Sequence, residues 1–356
     1  MKAYKSLIVA SCIFLISLCL FFISIYQYSL SPTSKDNTII EIEVKSGTSR
    51  AKLAKTLKKE KLIRSQNAFY FYMKFHHYTI KATTYEFSKD MGTKKIAKLI
   101  NKGNYYNPNS VKITFQEGIN MRKVASIIEK NTNNKKEAVL EKAKDKTYLK
   151  QLIKKYWFLT DDILSDDIYY GLEGYLYPET YELESKDVTV EEIFTKMLDQ
   201  EEKVLNKYKE TIYKKDKNVH KIMTIASICE LEGSEKYRKD IAGVFYNRLE
   251  KGMNLGSDVT TYYGSGVDMN ERDLTTDEIN SANAYNTRSN SLAGKYPAGP
   301  VSNPSKSSIE AAINPSKHNY YYFVADKYKK VYFTKTGTEH FQMIDEIKQR
   351  GDWIEW

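Results

Sequence analysis

Ile222-Met-Thr-Ile-Ala-Ser-Ile-Cys-Glu-Leu-Glu232-Gly233 joins an uncharged apolar run to two glutamates and a glycine stop. On a 3.6-residue period, Ile222, Ile225, Cys229 and Glu232 share one face, so the run reads as a buried helix of a mixed α+β domain. Met223, Ser227 and Glu230 form a second, more polar row. Glu230 is about 200° around the axis from Glu232, so the two carboxylates cannot enter one cleft. Glu232 continues the apolar stripe, where lost hydration raises a carboxyl pKa. A general acid working near neutral pH requires that shift. The competing reading pairs Glu232 with Arg238 or Arg248 at the helix end.

Outward from this run, Ile241 to Leu249 reads as a second buried helix ending in Asn247-Arg248. After it come Gly252-Met-Asn-Leu-Gly-Ser-Asp258-Val-Thr-Thr-Tyr-Tyr263, Tyr285-Asn-Thr287, Pro297-Ala-Gly-Pro-Val-Ser-Asn303-Pro304 and Asn314-Pro315. These loops are dense in amides and hydroxyls, suited to an uncharged polyol more than to a phosphate. Upstream, Gly171 to Tyr181 alternates glycines, aromatics and the carboxylates Glu173 and Glu179. That composition suits sugars, whose C–H faces stack and whose hydroxyls need partners, but fits a strand and turn in a core equally well. No GxxxxGK[ST], HExxH, GxSxG or CxxC occurs, so nucleotide, zinc-protease, hydrolase-elbow and redox readings have no support, and no cofactor or metal is implied.

The N-terminal end bears on compartment. Leu7 to Ile25 is a 19-residue stretch without charge, preceded by Lys2 and Lys5 and followed by Tyr26 and Tyr28. At 1.5 Å per residue it reaches about 28 Å, close to the roughly 30 Å hydrocarbon core. It therefore reads as a single-pass anchor in residues 1–30, N-terminus cytoplasmic and the remainder extracytoplasmic in a cell membrane. A cleaved signal peptide is the alternative, but its apolar region is shorter and no A-x-A-like site is present. The 55 Lys+Arg against 45 Asp+Glu give +10, which favours an anionic partner. An exterior location argues against nucleic acid. Of three cysteines, Cys12 and Cys19 lie in the apolar run, leaving Cys229 without a partner for a bridge or zinc cluster.

Residues 31–37 read as a short polar linker. Ile40-Glu-Ile-Glu-Val44 alternates as a half-buried strand, then Gly47 and a helical pattern follow. The same outline recurs at Val111–Phe115, Gly118 and Val124–Ile128, with a partial copy at Tyr85–Phe87, Gly92 and Ile96–Ile100. Strand, glycine turn and helix resemble a LysM-type sugar-binding module, so residues 38–130 read as a LysM-like peptidoglycan-binding region. Residues 131–165, rich in Lys, Glu and Leu, read as a basic helical connector. Such a run is usually a solvated face, with contact to an anionic wall polymer or lipid headgroups as the alternative.

The motifs from Met223–Glu232, Val244–Leu249, Gly252–Thr260, Tyr285–Thr287, Pro297–Pro300 and Asn303-Pro304, with Glu173-Gly-Tyr-Leu-Tyr-Pro178, stand in one order. In that order the sequence resembles the endolytic murein transglycosylases of the MltG, or YceG-like, family. The resemblance implies an α+β catalytic domain over residues 166–350 behind a transmembrane helix and LysM-like module. It also implies cleavage of the N-acetylmuramic acid–N-acetylglucosamine bond of nascent peptidoglycan strands near the membrane, alongside peptidoglycan synthases and elongation or division proteins. The family's Glu-Lys-Glu-Thr stands here as Glu230-Leu-Glu232-Gly233, placing the catalytic acid on Glu232. Val259 replaces the usual Pro after the aspartate, Arg288 replaces a Tyr, and Gly294-Lys-Tyr-Pro-Ala-Gly-Pro300 replaces Gly-Leu-Pro-Pro-Gly-Pro.

A glycosidase that uses water needs paired carboxylates about 5–9.5 Å apart. Only Glu232 lies on the stripe, with Asp258 and Glu173 as weaker partners, so the expected reaction is lytic. Glu232 acts as acid and then as base while the muramic C6 hydroxyl closes a 1,6-anhydro ring. Glu173, Asn247, Asp258, Tyr263, Asn286 and Asn303 are expected to orient the sugar and steady the transition state. Each of these also has an ordinary explanation in turn chemistry. The competing functions are a non-catalytic peptidoglycan-binding scaffold of the wall-synthesis machinery, a water-using muramidase and a basic protein of the membrane surface.

Overall fold

The computed structural model describes residues 2–103 and 110–353, with side chains described from residue 13 onward. The flanking Lys2 and Lys5 and the thiol of Cys12 thus lie outside the described side chains. The chain divides into two compact units, residues 1–109 and 110–356.

In the first unit, helix α1 (Lys2–Leu30) presents Ile13, Phe14, Phe21 and Phe22 with more than half their surface uncovered. A core helix of a soluble domain would bury them, so α1 matches the length and exposure of a membrane span between Ile13 and Leu30. Strand β1 (Ile40–Val44) leads into α2 (Arg50–Lys59) and α3 (Gln66–Phe75), capped by Ser49 and Ser65. Strand β2 (Thr83–Phe87) returns antiparallel to β1, with Ile42 opposite Tyr85, before α4 (Gly92–Lys102). Alternation puts Ile42, Val44, Tyr85 and Phe87 inward on Leu57, Phe69, Met73 and Ile96 while Glu41 and Glu43 face solvent. Two of the echoed strand outlines are therefore partners in one small sheet.

The remaining echo lies in the second unit. Strand β3 (Val111–Thr114) and α5 (Met121–Asn131) fall beyond the division at 109/110, and β3 pairs antiparallel with β4 (Thr180–Leu183), near the end of the glycine-aromatic segment. Helices α6 (Lys136–Lys142) and α7 (Lys146–Lys155) occupy the stretch read as an exposed connector. They bury Val139, Leu149 and Leu152 in the same core as Ile222 and Ile225. Lysines between these apolar positions mask a helical stripe. Helices α8 (Val190–Leu205) and α9 (Lys209–Lys214) precede α10 (Val219–Glu232), which is buried on all sides from Val219 to Cys229, except Lys221. Around it lie α11 (Arg238–Glu250), α12 (Asp258–Gly264), α13 (Thr276–Asn280) and α14 (Lys306–Ile313). Of these, α11, α12 and α14 pack against α10. The hairpin β5 (Tyr322–Ala325) and β6 (Val331–Thr334) carries α15 (Gly337–Gln349). Gly174 adopts φ +83° where any Cβ would collide with the Pro300 ring, so only glycine closes that approach.

Among the described residues, one carboxyl buried in this core has no hydrogen-bond partner for either oxygen: Glu201 on α8. Burial pushes its pKa well above the usual carboxylate range. The folded state then holds the proton more tightly than the unfolded chain. Stability is fully present below the unfolded pKa and falls as pH rises through the folded pKa. Glu201→Met is expected to stabilise the protein by about 1–3 kcal/mol near neutral pH, raising Tm by roughly 2–4 °C per kcal/mol. Thermal unfolding of both forms at several pH values checks this, and the gain should shrink towards pH about 4.

Candidate active site

The two glutamates at the end of α10 have opposite surroundings. Glu230 accepts from the Arg238 guanidinium at 2.5 Å, the Ser305 amide at 2.8 Å and the Ser308 hydroxyl at 2.8 Å. Its side chain is 6% exposed. It therefore sits as a fixed charge at the start of α14, where the amides favour an anion. Ser227, on the same row of α10, accepts from the Val301 amide at 3.0 Å, and the Ser302 hydroxyl donates to its carbonyl. This row fastens the 301–308 segment.

Glu232 is half-buried, and a single described hydrogen bond reaches its carboxyl, from the Ser257 hydroxyl at 2.5 Å. Neither proposed arginine pairs with it. Arg238 goes to Glu230, and Arg248 donates to the carbonyls of Tyr321 and Leu255. Desolvation is the main force raising the Glu232 pKa, and the negative charge of Asp258 adds to it. The Ser257 bond and the more distant charges of Arg288 and Arg248 oppose the rise. The result is a carboxyl held above its ordinary range, able to give a proton and then to carry charge.

Ser257 did not stand out in the sequence. It occupies the N-cap of α12 yet makes no capping bond with its side chain, which turns to Glu232 instead. Its backbone is clamped by Thr287 and Thr260: the Ser257 amide donates to the Thr287 hydroxyl at 3.0 Å, and the Thr260 hydroxyl donates to the Ser257 carbonyl at 2.7 Å. The Tyr285-Asn-Thr287 motif thus holds the serine that addresses the acid. A Gly-Ser-Asp helix start is the local signal, but it reads as capping until the fold shows what the hydroxyl meets.

Of the expected sugar contacts, Asp258 stands by Glu232, exposed and ion-paired with Arg288. The others are built into the walls. Glu173 is 1% exposed and accepts from the Met121 amide at 2.9 Å and the Tyr263 hydroxyl at 2.9 Å. Burial lifts its pKa to about 7, against those donors, but its enclosure keeps it from a sugar. Asn286 donates to the carbonyls of Ile279 and Ser281 and accepts from the Thr261 hydroxyl. Asn303 accepts from the Leu176 amide and donates to the Ile119 carbonyl. Asn247 donates to the carbonyls of His318 and Tyr320. These four side chains, with Tyr263, spend their polar atoms on the frame, which is the turn and loop chemistry their residue types also suit.

A groove of about 630 Å³ borders the acid's own segments, lined by Leu231 and Val259, by Gly118, Asn120 and Arg122, and by Tyr262 and Asp268. Arg122 crosses it to Asp268 at 2.9 Å. Aromatic, amide and charged groups along an open groove fit a polar chain with apolar faces. Among the described residues no cluster of three or more His, Cys, Asp or Glu is placed to hold a metal ion.

With Glu232 as the expected acid, Ser257 is a positioning residue, and Ser257→Ala is read by its pH profile. Loss of the hydroxyl removes a bond that favours the ionised carboxyl, and the alkaline limb of the activity profile is expected to move to higher pH. The ionised form also loses a donor worth about 1.5–3 kcal/mol, so turnover should fall roughly tenfold or more. An unshifted limb would mean that the Ser257 hydroxyl does not tune Glu232.

Comparison with known proteins matches residues 42–346 to the YceG-like family. The chain is 37% identical over 316 residues to the endolytic murein transglycosylase of Bacillus subtilis (strain 168), covering 87% of this chain and 86% of that one. It is 33% identical over 341 residues to the endolytic murein transglycosylase of Streptococcus pneumoniae serotype 2 (strain D39), covering 90% of this chain and 61% of that longer one. Among solved structures, a yceG-like protein of Listeria monocytogenes aligns with a TM-score of 0.61 and 36% identity, over 86% of this chain and 99% of that one.

Proposed function

The chain belongs to the YceG-like family, and from that premise we propose that it is a membrane-anchored lytic transglycosylase that cuts peptidoglycan glycan strands internally. The observation that carries the proposal is Glu232: half-buried, with its carboxyl pKa raised by desolvation, free of any described ion pair, and next in sequence to Leu231, which lines an open groove. The names of the relatives support the substrate class.

In the proposed reaction Glu232 donates its proton to the glycosidic oxygen between N-acetylmuramic acid and N-acetylglucosamine. The C1–O bond breaks, leaving oxocarbenium character on the muramic ring. The Glu232 carboxylate, held by Ser257, then takes the proton from the muramic C6 hydroxyl as O6 bonds to C1. Glu232 ends protonated and no water is consumed. The exposed Asp258–Arg288 pair and the groove residues Tyr262 and Arg122 contact the strand. Glu173, Tyr263, Asn286, Asn303 and Asn247 keep the walls in register. The helix α1 anchors the chain with the catalytic unit extracytoplasmic, and the β1–α2–α3–β2 module belongs to the same proposal as a LysM-like glycan-holding element. Peptidoglycan synthases and elongation or division proteins are the partners that fit such a role.

A second reading has one observation in its favour. Asp258 lies near enough to Glu232 to raise its pKa, and a second carboxylate is what a water-using muramidase needs. Against it, Asp258 is neutralised by Arg288. Mass analysis of products from uncrosslinked strands tests the choice. Anhydro ends, one water lighter than reducing ends, are expected; reducing ends alone would replace the lytic reading with hydrolysis.

A further inference from the structure

The positive charge of the chain is concentrated in one unit. Residues 1–109 hold 18 Lys+Arg against 6 Asp+Glu, or +12, so residues 110–356 carry −2 of the total +10. The same unit exposes two large aromatic side chains next to one another. Phe75 on α3 is 71% exposed and Phe71 is 45% exposed, with their rings stacked at 6.0 Å. Exposed Lys74 lies between them in sequence. The buried face of α3 is made by Ala68, Phe69, Tyr72 and Met73, so this aromatic pair contributes nothing to the core.

The segment read as a linker fastens this unit to the end of α1. The Arg64 guanidinium donates to the Tyr28 hydroxyl at 3.0 Å and to the Pro32 carbonyl at 2.9 Å. The Thr33 hydroxyl donates to the Lys61 carbonyl at 2.7 Å, and Asp36 pairs with Lys89 at 2.9 Å. Leu30 is buried in the unit's core, and Gly92 allows Leu30 and Pro32 to lie against the start of α4. Residue 30 lies about 7.5 Å beyond the end of the uncharged stretch at Ile25, a distance comparable to the headgroup layer.

Helices α3 and α4 both pack on α1. The start of α4 lies on α1, with Gly92 against Leu30 and the Lys94 ammonium donating to Gln27 at 3.0 Å.

We propose that the exposed α3 face, with Phe71 and Phe75 on either side of Lys74 in a unit of strong positive charge, docks into the anionic lipid surface around the anchor and holds the first unit flat against the membrane. Aromatic rings at the headgroup boundary with lysines beside them match the chemistry of an interfacial anchor. The inference rests on α1 spanning the membrane, and the test separates the two. The full-length chain with p-benzoylphenylalanine at Phe75 is reconstituted into phosphatidylglycerol–phosphatidylcholine liposomes and irradiated; a second form carries the probe at Lys52, exposed on α2. Lipid adducts are expected at position 75, several-fold above position 52, and fewer in pure phosphatidylcholine. Protein that resists alkaline extraction yet forms no lipid adduct at 75 would overturn the docking while leaving the anchor intact. Preferential adducts to an added glycerol-phosphate polymer would assign the face to wall polymer instead. Release by alkaline extraction would remove the anchor and the docking together.

Discussion

Glu232→Gln is expected to abolish release of anhydro-ended fragments, lowering the rate by at least about 10²-fold, the usual contribution of a positioned general acid. The amide keeps the shape of the side chain and can still meet the Ser257 hydroxyl, but it has no proton to give to the glycosidic oxygen and cannot recover one from the C6 hydroxyl. Folding should be unharmed. The wild-type carboxyl has a raised folded pKa, so it costs stability as pH climbs through that value, and the neutral amide removes this cost. Tm of Glu232→Gln should therefore equal or exceed that of wild type at neutral and alkaline pH. Strand binding should persist, because the groove at Arg122, Tyr262 and Val259 is untouched. Retained cutting would remove Glu232 from the chemistry, and strand binding without cutting by either form would favour the scaffold reading.

Two residues earlier the same kind of change has the opposite effect. Glu230→Ala strips Arg238 of its carboxylate inside the wall, where the pair is 11% and 6% exposed, and leaves the Ser305 amide and Ser308 hydroxyl without their acceptor. Removing one partner of a buried ion pair costs about 3–5 kcal/mol. For a unit of this size that corresponds to a Tm drop on the order of 10 °C. The pair Glu230→Ala with Arg238→Met should recover part of the loss, since an apolar side chain needs no counter-charge. Differential scanning calorimetry of the single and double variants decides it. A Glu230→Ala protein as stable as wild type would mean that this row of α10 does not hold the 301–308 segment.

The difference between these glutamates was partly legible in sequence. Helical phase separates residues 230 and 232, and an apolar run ending in Glu232 marks the carboxyl that will lose hydration. What the phase could not convey is that α10 is buried on nearly every side, so the stripe alone does not single out Glu232. Partners make the distinction. Those of Glu230 come from Arg238 and from residues 305 and 308, and that of Glu232 comes from Ser257; none is visible in a local pattern. The amide-rich loops were legible as a wall, but whether Asn286 or Asn303 faces the sugar or the frame depends on contacts such as those with Thr261 and Leu176. The strands at Ile40 and Val111 were readable by alternation, whereas their partners, β2 and β4, are set by tertiary pairing at long separation. The Lys-rich stretch after residue 131 concealed Val139, Leu149 and Leu152 because its charged positions outnumber the buried ones.

The central claim concerns one proton on one carboxyl, and it can be observed directly. Selective carboxyl-carbon labelling of glutamate in the full-length chain, with the Glu232 signal assigned by its absence from Glu232→Gln, follows that group through a pH titration. Titration clearly above the ordinary carboxylate midpoint, moving higher still in Ser257→Ala, is the expected result. A midpoint at the ordinary value, insensitive to Ser257, would contradict an acid kept protonated by its surroundings.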